Sequence, residues 1–145
     1  MRKLFYISFF VLLFAACHSN KQGQSQDAGE APKVVTSEGG PVIKFDTIYF
    51  DLGSLDINGP NQTRDFLFTN TGGEPLVIDS VETSCSCLDI EYPKTFIASG
   101  SRSKITMTLK VNELSSGQFY RSAFVYSNAS DDPTEIILQG IKNYE

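Results

Sequence analysis

From Val42 onward the chain breaks into short runs in which apolar and polar residues alternate. Val42 to Phe45, Ile48 to Leu52, Thr63 to Thr69 and Leu76 to Val81 have this texture, and so do Ser103 to Val111, Gln118 to Ser127 and Glu135 to Ile141. Successive side chains of a strand point to opposite faces, so alternation marks strands with one buried face. The clearest case is Ser103 to Val111, which puts Ile105, Met107, Leu109 and Val111 on one side. Phe66 and Phe68 share a face in the same way. Turn formers separate the runs: Gly53, Asn58-Gly59-Pro60, and Asn70-Thr71-Gly72-Gly73, which reads as a hairpin turn. No stretch of about a dozen residues in this part shows helical spacing. Roughly seven short strands at intervals of about 8–12 residues predict an all-β domain, an antiparallel β-sandwich.

The first 41 residues follow other rules. Met1-Arg2-Lys3 is a short positive start, Leu4 to Ala16 is almost wholly apolar, and Cys17 follows. This is the pattern of a secretory signal, too short for a comfortable membrane-spanning helix of about 20 residues. Leu13-Phe14-Ala15-Ala16-Cys17 resembles the lipobox of bacterial lipoproteins, with Phe14 where leucine is usual. The resemblance implies cleavage after Ala16 and a covalent diacylglycerol on Cys17, an anchor that needs no other cofactor. His18 to Pro41 lacks Phe, Tyr, Leu and Ile and cannot bury enough apolar area to order itself. It reads as a flexible tether with a reach of roughly 25–30 Å. The expected organisation is therefore signal 1–16, lipidated cysteine and tether 17–41, and sandwich domain 42–145. No acidic cluster like the surface-export signal of Bacteroides-type lipoproteins follows Cys17. The expected location is the outer membrane facing the periplasm, with the cell surface as the alternative.

Charge and composition remove several functions. The 17 Asp and Glu against 12 Lys and Arg give a net charge of -5. Loss of Arg2 and Lys3 with the signal makes the mature chain more acidic still. A chain with no basic run lacks the footprint of a nucleic-acid binder. The one histidine, His18, falls in the tether. Ser-His-Asp and Cys-His catalysis are then out of reach of the folded part, and so are most hydrolytic metal sites. No phosphate-cradling glycine loop occurs. The chain is expected not to be an enzyme, and Asp131-Asp132 reads as a solvated turn.

A family emerges from the order of the motifs. Phe66-Leu67-Phe68-Thr69-Asn70-Thr71-Gly72-Gly73-Glu74-Pro75-Leu76 is followed by Ser84-Cys85-Ser86-Cys87, Gly100, Gly117-Gln118-Phe119, Ser127-Asn128 and Leu138-Gln139-Gly140. Residues 42–141 thereby resemble the bacterial domain of unknown function 1573. That domain is related to immunoglobulin-like domains of the Hydin and spindle-associated kind. The resemblance implies an immunoglobulin-like sandwich on an exported lipoprotein. Ser86 stands where the family usually has glycine.

Cys85 and Cys87 admit three chemistries. An oxidising compartment favours a disulfide. Two residues apart on a strand, however, the Cβ atoms lie too far apart, and a bridge needs a tight bend at Ser86. Two thiolates could also hold a soft ion such as Cu(I) or Zn(II), with help from Met107 or a second chain. Or the pair only packs against the sandwich edge. The nearby carboxylates Glu82, Asp89 and Glu91 would disfavour a thiolate. Asp46-Thr47-Ile48 and Asp79-Ser80-Val81 resemble the O-glycosylation pattern of exported Bacteroides-type proteins, which marks Thr47 and Ser80. The function expected is a non-catalytic binding or scaffolding module, held to the membrane by lipid and meeting an envelope protein or glycan. The alternative is a thiol-redox or soft-metal-handling protein built on Cys85 and Cys87.

Overall fold

The computed structural model describes residues 39–83 and 85–144. The signal, Cys17, His18 and most of the tether lie outside the described residues. Eight strands form: β1 (Ile43–Phe45), β2 (Tyr49–Leu55), β3 (Gln62–Asn70), β4 (Ile78–Thr83), β5 (Leu88–Glu91), β6 (Arg102–Leu109), β7 (Gly117–Ser127) and β8 (Ser130–Lys142). A 3-10 turn, Val111–Glu113, joins β6 to β7. The first sheet has the order β1-β3-β6-β5 and the second β2-β8-β7-β4. The two-sheet, all-β sandwich is the one that the alternation predicts.

Four features differ from that expectation. β5 is an eighth strand of four residues, paired with β6 from Leu88↔Leu109 to Glu91↔Thr106. So short a run gives little periodicity to read. Second, β2 runs parallel to β8 while every other pairing is antiparallel. These strands sit near opposite ends of the domain, and the chain between them supplies the crossover that a parallel pair requires. Third, Asn70-Thr71-Gly72-Gly73 is not a hairpin turn, since β3 and β4 belong to different sheets. It carries the chain across the sandwich. β8 also begins earlier than its alternation suggests, so Asp131 and Asp132 are strand residues. Pro133 is tolerated there because β2 pairs with β8 only from Ile137 onward.

The core closes between the sheets. Phe66, Phe68, Ile105, Met107, Leu109 and Val111 are fully buried from the first-sheet side, and Ala123, Ile136 and Leu138 from the second. The rings of Phe50 and Phe66, one from each sheet, meet edge-on at 5.0 Å. Asn70 ties the end of β3 to three segments. Its Nδ2 donates to the carbonyls of Glu74 (2.8 Å) and Ile97 (3.0 Å). Its Oδ1 accepts from Gly72 N (3.0 Å) and Val42 N (3.3 Å). A buried amide with every donor and acceptor engaged stabilises the turn and its neighbours together. Gly72 is required beside it, because a Cβ there would collide with the backbone of residues 40–42.

Candidate functional site

The outward side of the second sheet can be read row by row from its register. Phe124 of β7 lies between Glu82 of β4 and Glu135 of β8. The next row outward is Ser122, Ile137 and Tyr49. Tyr120, Gln139 and Asp51 follow, then Gln118, Ile141 and Ser54. Tyr120 is 51% exposed, Ile141 44%, Tyr49 40% and Phe124 37%. Large apolar groups gathered on one face mean more than the same groups scattered singly. A shallow groove of about 540 Å³ crosses this face, lined by Asp51, Tyr120, Gln139 and Ile141 among others. Gly140 forms part of its wall, where a Cβ would strike the Gly53 carbonyl and the Phe119 ring.

The face is also electronegative. Partial burial, and then the carboxylate of Glu135, raise the phenol pKa of Tyr120 above its ordinary value. Burial followed by Asp51 does the same for Tyr49. Among the described residues, no salt bridge neutralises Asp51, Glu82 or Glu135.

The Cys85-Ser86-Cys87 segment crosses from β4 in the second sheet to β5 in the first. It is a turn rather than a strand, closed by Leu88 N donating to the Cys85 carbonyl at 3.3 Å. The Cα atoms of Cys85 and Cys87 are 5.1 Å apart, and the sulfurs are joined in a disulfide. The bend at Ser86 that such a bridge needs is thus present. A bond closing so small a loop removes little unfolded-chain entropy, about 1.6 kcal/mol, against about 3 kcal/mol for a 15-residue loop. The two sulfurs are unequal: Cys87 is 1% exposed, while Cys85 is half-buried. Cys87 N donates to Cys85 Sγ at 3.1 Å.

Residues distant in sequence bring cations toward the carboxylates Glu82, Asp89 and Glu91. Lys110 Nζ bonds to Asp89 at 2.8 Å and to the Ser86 carbonyl at 3.3 Å. β4 pairs with β7 only as far as Thr83↔Ala123, which leaves residues 117–122 of β7 without a strand on that side. A cavity of about 400 Å³ opens there, lined by Cys85, Ser86, Tyr120, Arg121 and Ser122. Arg121 Nε is buried with no hydrogen-bond partner among the described residues. The sequence gives no hint of this meeting, because β7 supplies Arg121 from 36 positions past Cys85.

The other candidates are placed apart from this cavity. Met107 lies in the core at 0% exposure. Among the described residues, no group of three or more His, Cys, Asp or Glu side chains is gathered to hold a metal. Thr47 sits in the turn before β2, its hydroxyl donating to the Tyr49 carbonyl at 2.9 Å. Ser80 lies on β4 opposite Tyr126.

Residues 43–141 match the protein family of unknown function DUF1573, and the chain belongs to that family. No curated protein matches it. Among solved structures, it is similar to a protein of unknown function from Porphyromonas gingivalis. That likeness has a TM-score of 0.59 at 19% identity, over 70% of this chain and 46% of the other. It is also similar to an ASH/PapD-like domain of human CEP192, with a TM-score of 0.55 at 9% identity, over 88% of this chain and 99% of that domain. The secreted serine protease VesC from Vibrio cholerae shares the fold at a TM-score of 0.50 and 15% identity, over 72% of this chain. The chain spans less than half of the Porphyromonas protein and 23% of VesC. At these identities the likenesses define an immunoglobulin-like or PapD-like sandwich and nothing of activity.

Proposed function

We propose that this protein is a non-catalytic binding module of the cell envelope, anchored by a diacylglycerol on Cys17 in the outer membrane and facing the periplasm. Its partner is a basic polypeptide surface, which docks on the outward face of the second sheet. The observation that carries this reading is the row Glu82–Phe124–Glu135, an exposed ring between two carboxylates, neither of them in a salt bridge among the described residues. Aromatic groups supply contact area, and unneutralised carboxylates select lysine and arginine by charge and by cation–π geometry. This docking uses a sheet face; strand addition at an edge is the other mode open to a sandwich.

A photo-crosslinking amino acid at position 124 of the full-length protein in intact cells tests the reading. Position 67 serves as control, since Leu67 is a 41% exposed apolar residue of the first sheet. The expected result is a specific adduct from 124, within a Lys- or Arg-bearing segment, whose yield falls in Glu82→Gln/Glu135→Gln. Equal labelling from both positions, or capture of a glycan or of a segment without basic residues, overturns it. Radiolabelled palmitate tests the anchor: label should enter the wild type and be lost in Cys17→Ala. An unlabelled wild-type protein rules the anchor out.

A further inference from the structure

We infer that the Cys85–Cys87 turn is a thiol–disulfide exchange site that takes electrons from a dithiol, with Cys85 as the attacked sulfur. Four observations converge on it. The bridge joins cysteines only two positions apart, so its contribution to stability is small. Only Cys85 reaches solvent, because Cys87 is 1% exposed. Cys85 lines a cavity of about 400 Å³ together with Arg121, whose Nε is buried without a partner among the described residues. The N–H of Cys87 already donates to Cys85 Sγ, and it would continue to donate to a thiolate there. A cation and an oriented N–H beside one sulfur make that sulfur the better thiolate.

The exchange runs in two displacements. A substrate thiolate attacks Cys85 Sγ, the Cys85–Cys87 bond breaks, and its electron pair leaves on Cys87 Sγ, which takes up a proton. The substrate's second thiolate then attacks the substrate sulfur of the mixed disulfide, and Cys85 departs as a thiolate into the cavity that Arg121 also lines. The substrate ends as a disulfide. Cys85 and Cys87 have gained the two electrons; of the two protons lost by the substrate thiols, one ends on Cys87 Sγ and the other passes to solvent while Cys85 remains a thiolate. The transfer is one stoichiometric oxidation. It does not rest on the docking reading, since small thiols reach the cavity without any protein partner.

The test uses the full-length protein, folded and purified in detergent, with glutathione as probe. Alkylation and mass spectrometry should show the wild-type pair passing from disulfide to dithiol across glutathione redox buffers, with the protein remaining folded and its urea midpoint only modestly lowered. In the single variants, Cys87→Ser leaves Cys85 free, and oxidised glutathione should modify it at least about tenfold faster than it modifies Cys87 in Cys85→Ser. Arg121→Gln should slow that modification about tenfold at low salt, with the loss shrinking at high salt and recovered in Arg121→Lys. A pair that stays oxidised in every glutathione buffer overturns the inference. So does equal or faster reaction at Cys87. The wild-type titration needs no variant, so a misfolded substitution does not leave the question open.

Discussion

The outward faces of the two sheets are built from similar strands and treat their charges in opposite ways. On the first sheet, Lys104 of β6 reaches Asp65 of β3 at 2.8 Å, and Arg102 pairs with Asp46. Lys110, just past β6, reaches Asp89 of β5 at 2.8 Å. Thr106 donates to the other oxygen of Asp65, and the Thr63 and Thr108 hydroxyls meet at 3.0 Å. Most of the charges on that face are paired within it. Each exposed pair adds little stability, but together they leave little net charge for a visitor to read. On the second sheet, aromatic and aliphatic groups stand beside carboxylates with no cation against them among the described residues. Such a face gains nothing for folding from its charges, and it is the side on which charge selection of a partner can operate.

The comparison presumes that both faces ride on one rigid sandwich, and the most damaging way to break it is through Asn70. Asn70→Ala removes four hydrogen bonds to segments 42, 72, 74 and 97 and leaves buried backbone groups unpaired. The expected loss is about 3–4 kcal/mol of unfolding free energy, read as a fall in the urea midpoint. A loss under about 1 kcal/mol would mean that water replaces the amide and that the turn is not the tie between the sheets.

The next largest effect should separate the faces from each other. Tyr120→Ala/Phe124→Ala is expected to weaken binding of the crosslinked partner by about 2–4 kcal/mol, as aromatic anchors do. Stability should change far less, because both rings are already substantially exposed. The mirror experiment, Arg102→Ala/Lys104→Ala, should leave affinity unchanged and cost less than about 1 kcal/mol of stability. Titration calorimetry and urea melts on the same samples decide the matter. An affinity loss from the first-sheet variants would overturn the division of roles. Smaller again is Glu82→Gln/Glu135→Gln, which should slow association about tenfold at low ionic strength and hardly at all at high salt. Stopped-flow association rates across a salt series would show whether those carboxylates steer the partner.

How much of this could be read from the chain varies with the range of the interaction. Phe66, Phe68, Ile105, Met107 and Leu109 were legible as core because alternation is a local signal, and all five are fully buried. β5 was not, since four residues carry little periodicity and lie directly behind the cysteine turn. The parallel β2–β8 pair and the sheet-crossing role of Asn70-Thr71-Gly72-Gly73 depend on which strand finds which, a long-range choice without a local mark. The cations near the cysteines were hidden for the same reason. Glu82, Asp89 and Glu91 are neighbours in sequence, whereas Lys110 and Arg121 are neighbours only after β6 and β7 have paired. The second-sheet face likewise needed the register, which alone puts Phe124 between Glu82 and Glu135.

The smallest expected effect sharpens the comparison through pH. The Lys104 ammonium, and after it the Thr106 hydroxyl, hold the Asp65 carboxyl below the usual carboxylate range. In the unfolded chain Asp65 binds its proton at the ordinary value, so on acidification the unfolded state takes up the proton first. The contribution is therefore fully present above about pH 4 and is lost as pH falls through the lower, folded value. With the carboxylate side chain 41% exposed, solvent screening reduces the effect to about half a kcal/mol. Urea midpoints measured across the acid range should fall less steeply in Asp65→Asn than in the wild type. A slope as steep in Asp65→Asn as in the wild type would remove Asp65 from the pairs that stabilise the first sheet and blunt the contrast between the two faces.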